Sequence, residues 1–183
     1  MRGKISTMSE YYVLTVNDTG TDDSVIYALK NIETVKTAYG AFGPYDIISK
    51  LESDDEPKLE KDISSKVRKI PQVRSTLTLE VAKGKGFRKT NSDENEVLEK
   101  HMAQSFVIIH CKHSDESQVM ENLKKISEII EANVLIGSYE ILCKIVAPSY
   151  NEISDVITNK IRKIPNIKST ITLNIVENQG FQK

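Results

Sequence analysis

Residues 70–89 read IPQVRSTLTLEVAKGKGFRK, and residues 164–183 read IPNIKSTITLNIVENQGFQK. The second stretch follows the first at an offset of 94 positions, without insertion or deletion. The same offset lays Gly43-Pro44-Tyr45-Asp46 on Gly137-Ser138-Tyr139-Glu140, and Val25, Leu29 and Ile32 on Val119, Leu123 and Ile126. About 23 of roughly 79 aligned positions are identical, so the chain is a tandem duplication. The organisation expected is an extension at 1–10, a first repeat at 11–89, a polar linker at 90–104 and a second repeat at 105–183. Within the linker, Ser92 is a candidate cap for a short helix through Glu96 and Leu98.

Each repeat carries the same succession of elements. Runs at 12–16 and 106–111 are β-branched or apolar and predict buried strands. Segments 23–31 and 116–125 have apolar residues three and four apart and predict short helices. Runs at 35–41 and 45–51, joined through Gly43-Pro44, predict a hairpin, repeated at 129–136 and 140–146. Leu59, Ile63, Val67 and Ile70 line one face of a second helix, as do Ile153, Ile157, Ile161 and Ile164. Both helices are expected to run up to Pro71 and Pro165, because the residue before proline avoids helical geometry. Strands at 73–81 and 167–176 close the repeats. Strand, helix, strand, strand, helix, strand is the ferredoxin-like βαββαβ pattern, which makes the chain α+β. In 106–109 and at Ile141-Leu142 both strand parities are apolar. The expectation is that the two sheets pack face to face as an intramolecular pseudo-dimer, like a dimeric α+β barrel.

The chain has 183 residues, 39% hydrophobic and 28% charged, enough to build cores and remain soluble. A net charge of -1 gives no electrostatic reason to expect nucleic acid or a membrane surface as partner. The start MRGKISTMSEYY has no apolar run of signal-peptide length, and no segment approaches a membrane span. Met8 is an alternative start. Two cysteines, Cys111 and Cys143, are too few for a disulfide framework, which points to the cytoplasm.

A glycine followed by x-Tyr-Asp at the third strand, an amphipathic helix, and then Ile/Leu-Pro-x-Val-x-x-Thr-x-Thr resembles the ligand-binding (RAM) domain of Lrp/AsnC transcription regulators. The first repeat matches through Gly43, Tyr45, Asp46, Ile70, Pro71, Val73, Thr76 and Thr78. The second matches through Gly137, Tyr139, Ile164, Pro165, Thr170 and Thr172, with Glu140 in place of aspartate and Ile167 in place of valine. The resemblance implies a domain that pairs, assembles further and takes amino acids or related effectors where pairs meet. Such proteins normally carry an N-terminal helix-turn-helix. Only about ten residues precede the first strand here, too few for one. The expectation is a stand-alone sensor that binds an amino-acid-like effector and forms homo-oligomers, or mixed oligomers with helix-turn-helix-bearing relatives. No cofactor is expected.

The candidate ligand residues are Gly43, Tyr45, Asp46, Thr76 and Thr78, with Gly137, Tyr139, Glu140, Thr170 and Thr172. A carboxylate beside the turn suits a ligand amine, through a charge-assisted hydrogen bond. The competing reading is a plain hairpin turn whose acid tops the strand. The threonines suit a ligand carboxylate or amide, or simply reflect β propensity. His110, Cys111 and His113 carry imidazole and thiol groups that suit zinc or copper, with Cys143 and His101 elsewhere in the same half. Neighbouring strand residues point to opposite faces, however, and the first repeat has Val16, Asn17 and Thr19 instead. Lys83, Lys85, Arg88 and Lys89 form a basic cluster that the second repeat lacks. Both tails keep Gly-Phe, which predicts a strand extension anchored by Phe87 and Phe181. With no Gly-x-Ser-x-Gly, phosphate-binding loop or HExxH, the motif reading is not an enzyme. A protein-interaction scaffold without ligand is the alternative from another class.

Overall fold

A computed structural model describes residues 8–89 and 102–183. His101 and the linker helix expected at Ser92 lie outside these residues, as does most of the N-terminal extension. In chain order the elements are β1 (Ser9–Asn17), α1 (Asp22–Lys30), β2 (Val35–Phe42), β3 (Ile47–Ser53), α2 (Glu56–Ser65) and β4 (Val73–Arg88). The second repeat gives β5 (Ala103–Cys111), α3 (Glu116–Lys124), β6 (Ile129–Ile136), β7 (Ile141–Ala147), α4 (Tyr150–Asn159) and β8 (Ile167–Gln182). This is α+β, with the ferredoxin-like βαββαβ unit present twice.

The chain divides into two units. Among the described residues, the first holds 8–40, 45–81 and 178–183; the second holds 41–44, 82–89 and 102–177. In the first unit the strand order is β4-β1-β3-β2-β8, antiparallel at β4-β1, β1-β3 and β3-β2. The fifth strand is the tail of the chain, where the Lys183 amide donates to the Lys36 carbonyl at 2.9 Å. The second unit is built alike as β8-β5-β7-β6-β4, with Lys89 donating to the Ile130 carbonyl at 2.8 Å. Each final strand therefore continues past the predicted ends at 81 and 176. The Gly-Phe tails explain why. A Cβ on Gly86 would lie 2.6 Å from Asn133 Oδ1 and 2.7 Å from the Ala132 carbonyl oxygen, and one on Gly180 would overlap the Ala38 carbonyl. Phe87 then packs on the helix-side core of the second unit, and Phe181 on that of the first, so the predicted strand extension is present.

In the first unit Val25 and Leu29 of α1 and Leu59 and Ile63 of α2 pack on Val13, Ile47 and Leu51. In the second, Val119, Leu123, Ile153 and Ile157 pack on Val107, Ile109 and Ile141. Side chains of the opposite parity are buried too: Leu14 and Ile108 are fully enclosed, and Ile48 and Leu142 nearly so. Both helices before the prolines end earlier than expected. The helices α2 and α4 stop at Ser65 and Asn159, and single 3-10 turns (Val67–Lys69, Ile161–Lys163) follow. Ile70 and Ile164 are already extended. The tighter turn still sends Val67 and Ile161 into their cores. Among the described residues no helix is long and apolar enough to cross a membrane.

Candidate functional site

The sites grow from an irregularity at the end of the first strand of each repeat. β1 shifts register against β4 between Val16 and Asn17, and β5 against β8 between His110 and Cys111. On the opposite edge of each strand the pairings end at Thr15 with Ile47 and at Ile109 with Ile141, so the N–H groups of Asn17 and Cys111 lie past them, and a buried N–H needs another acceptor. In both repeats that acceptor is the acid of the glycine turn. Asp46 Oδ2 accepts from the Asn17 amide at 2.8 Å, and Glu140 Oε2 from the Cys111 amide at 3.0 Å. The acids' own amides donate back to the same strands, Asp46 to Thr15 O at 2.8 Å and Glu140 to Ile109 O at 3.2 Å. Each turn is thus clipped twice, and each carboxylate is set at a strand end.

Gly43 and Gly137 have φ of +148° and +129°, the region that favours glycine. A Cβ on Gly43 would also lie 2.6 Å from the Thr172 carbonyl oxygen, whereas one on Gly137 meets nothing within 4 Å. Tyr45 and Tyr139 are half-buried beside the acids. The threonines take their places by register: Thr76 opposite Thr15, Thr78 opposite Val13, Thr170 opposite Ile109 and Thr172 opposite Val107. Cross-strand partners share a face, so all four threonines lie on the helix-bearing side. There Thr78 accepts from Arg68 at 3.4 Å and Thr170 from Arg162 at 3.2 Å. Asp46 and Thr76 flank one residue, Thr15; Glu140 and Thr170 flank Ile109. Thr78 and Thr172 sit one step further along their strands.

Several residues around the clips carry no motif. Asn17 Nδ2 donates to Asp22 Oδ1 at 3.1 Å, so Asn17 touches both acids of the first repeat. Asn17 is 6% exposed and Thr15 fully buried, yet Asn17 Oδ1 and Thr15 Oγ1 have no hydrogen-bond partner among the described residues. In the second repeat, position 22 becomes Glu116, and imidazoles meet both acids. His110 Nδ1 lies 2.9 Å from Glu140 Oε2 and His113 Nδ1 3.0 Å from Glu116 Oε2. The available signal was the pairing of Asp22 with Glu116 at the repeat offset.

The three metal candidates part company here. His110 turns to Glu140, His113 to Glu116, and Cys111 enters the second core with Cys143. Burial pushes the Cys111 thiol up to about 11, with Glu140 adding to it, and the Cys143 thiol up to about 12. Both cysteines are free, and no group of three or more His, Cys, Asp or Glu is placed to share an ion among the described residues. Of the basic cluster, Lys89 is engaged, its ammonium donating to the Ile126 carbonyl at 2.6 Å.

Residues 104–178 match the family model of the Lrp/AsnC ligand binding domain, and the chain belongs to that family. The crystal structure of FFRP-DM1 is 32% identical, over 40% of this chain and 99% of that one, with a TM-score of 0.39. The siroheme decarboxylase NirDL overlays 96% of this chain and 73% of its own at a TM-score of 0.72 and 11% identity. A putative monooxygenase from Lactobacillus acidophilus NCFM covers 97% of both chains at 0.60 and 9% identity. No curated protein sequence matches. The last two structures correct one expectation, that the chain is not an enzyme. At such identities they establish the fold alone, but it is a fold that carries decarboxylase and oxygenase chemistry, on which missing hydrolase motifs have no bearing.

Proposed function

We propose that the chain is a regulatory sensor that binds a small effector, an amino acid or close relative, at its Gly-x-Tyr-acid turns and self-associates. The observation that carries this reading is the double clip. Two diverged repeats place a carboxylate beside a half-buried tyrosine and a positive-φ glycine, by the same pair of main-chain bonds. The carboxylate takes the effector amine, and threonine hydroxyls near the same strand residue take its carboxylate. Effector bound more tightly in one assembly state shifts the population toward it. Helix-turn-helix-bearing relatives are the partners through which such a shift reaches DNA.

A thermal-shift screen with the proteinogenic amino acids, nucleotides and an iron porphyrin tests this. A ligand that binds the native state raises the melting temperature by mass action. The expected result is a rise with one amino acid or a relative, accompanied by a change of mass in light scattering. The porphyrin arm is there because NirDL was also solved in co-complex with an iron-uroporphyrin III analogue. A response to porphyrin alone, or to nothing, overturns the amino-acid reading.

A further inference from the structure

Residues 178–183 hold the edge of β2 by more than strand pairing. The Lys183 amide donates to the Lys36 carbonyl at 2.9 Å, and its ammonium to the Ile32 carbonyl, just past α1, at 2.7 Å. Phe181 packs on the core of the first unit. Gly180 lies flat on the backbone, where a Cβ would stand 3.0 Å from Tyr39 Cα and overlap the Ala38 carbonyl. Gln179 lies across Gly40, where a Cβ would stand 2.6 Å from its Cδ, and its Nε2 donates to Asp23 Oδ1 at 3.1 Å. Main-chain pairing at a sheet edge is blind to sequence; seats for particular side chains make it selective. The β6 edge of the second unit keeps part of this pattern, with Gly86 on the Ala132 carbonyl and the Lys89 ammonium on the Ile126 carbonyl at 2.6 Å. Val134 and Ser117, however, stand there at the positions of Gly40 and Asp23. A segment carrying Gln179 therefore loses both its seat and its acceptor at β6. Each tail is also set off from its strand at the same repeat position by a left-handed residue, Gly84 at +74° and Asn178 at +59°.

We infer that the edge of β2, together with α1, is a recognition site for an extended Gln-Gly-Phe-x-Lys segment, filled by residues 178–183 of the same chain and open to the same segment of a second copy. Every contact within the site is identical in the two arrangements, so exchange alters only the joint at Asn178. A tethered tail has an effective concentration on the order of millimolar, which keeps the closed form ahead in dilute protein. The exchanged form takes over where a chain's own tail is displaced. The inference goes beyond the sensor reading, since it names a contact between copies that needs no effector.

The test is complementation between two full-length variants. Gly180→Ala spoils the tail and leaves the edge intact; Gly40→Val spoils the edge and leaves the tail intact. Each variant alone is expected to keep the wild-type mass in light scattering, with β2 unprotected in hydrogen exchange. Mixed in equal amounts they are expected to pair at twice that mass. Protection of β2 then returns at least tenfold in the Gly180→Ala chain, read by labelling that chain alone with ¹⁵N, and not in its Gly40→Val partner. Where either variant fails to fold, the wild-type chain is titrated with a fluorescein-labelled peptide of residues 177–183. Saturable binding is expected, displaced by unlabelled peptide and weakened at least tenfold by Phe181→Ala in the peptide. A mixture that does not pair, Gly180→Ala pairing with itself, β2 still protected in Gly180→Ala alone, or equal binding of the Phe181→Ala peptide overturns the site. Failed pairing beside a metabolite that raises the melting temperature leaves the effector reading standing. Pairing with no responding metabolite does the reverse.

Discussion

Asp46 and Glu140 carry structural duty whatever else they bind. Each receives a main-chain N–H that lies past the end of a strand pairing, so Asp46→Ala or Glu140→Ala leaves that donor unpaired. Each substitution is expected to cost about 1–3 kcal/mol in urea unfolding, with the amide variants recovering most of the loss. The cysteines give a second prediction. With its thiol pushed up to about 11, Cys111 has at pH 8 roughly a hundredth of the thiolate of an ordinary cysteine, and Cys143 less. Native protein should therefore react slowly with Ellman's reagent, and urea should release two thiols. Because the folded values are raised, the stability tied to these thiols is full below the ordinary value of 9.0 and is lost as pH climbs through 11. Cys111→Ala/Cys143→Ala should flatten that decline in denaturation midpoints. Glycine, tyrosine and acid were legible in the sequence because the repeats keep them. Asn17 and Thr15 were not, since their importance comes from where a strand pairing ends and from burial, neither of which local spacing encodes. For the His-Cys-Lys-His run the sequence already argued against a shared ion, and the two carboxylates that take its imidazoles were not legible. Adjacent in sequence, its side chains are parted by strand alternation and by two different carboxylates.

At the scale of elements, the strands and helices followed from periodicity, and their ends did not. The helices end at Lys66 and Lys160, which still donate to the carbonyls of Asp62 and Val156 but at φ of -119° and -115°, although lysine is a good helix former. Both lysines are pinned as they do so, by acids that have changed place. Lys66 pairs with Asp62 on its own helix at 2.9 Å, while Lys160 reaches Glu128 ahead of β6 at 2.7 Å. Burial presses Asp62 toward neutrality, but hydrogen bonds from Lys66 and Thr34 prevail and hold it below the usual carboxylate range. Its contribution is present above the unfolded value and is lost as pH falls through the folded one. Asp62→Asn should remove that part of the acid sensitivity in pH-dependent unfolding. The Gly-Phe tails pointed to strand extensions, but not to how far they run or to the partner backbone that crowds Gly86 and Gly180. Gly86→Ala and Gly180→Ala are expected to cost about 1–3 kcal/mol each through forced displacement, measured by thermal unfolding. Gly20→Ala, which meets nothing within 4 Å, carries only the penalty of its φ of +78°.

Across the whole molecule, duplication was legible from the first alignment, and it accounts for two five-stranded units of one design. What alignment concealed is that neither unit is continuous in sequence: the first is finished by residues 178–183 and the second by residues beyond 81 of the first repeat. Removing 178–183 should strip hydrogen-exchange protection from Val35–Phe42, where the tail pairs, and spare Ile129–Ile136. Protection unchanged in β2 would show that its edge needs no fifth strand. During synthesis the arrangement imposes an order. The ribosome releases β1 to β4 early, but β2 keeps a bare edge until residues 178–183 have been translated. An open strand edge templates pairing with other chains, so the nascent first repeat spends the whole elongation of the second as a substrate for chaperones or for neighbouring polysomal chains. Slower translation lengthens that exposure, and synthesis of residues 178–183 is itself the event that ends it.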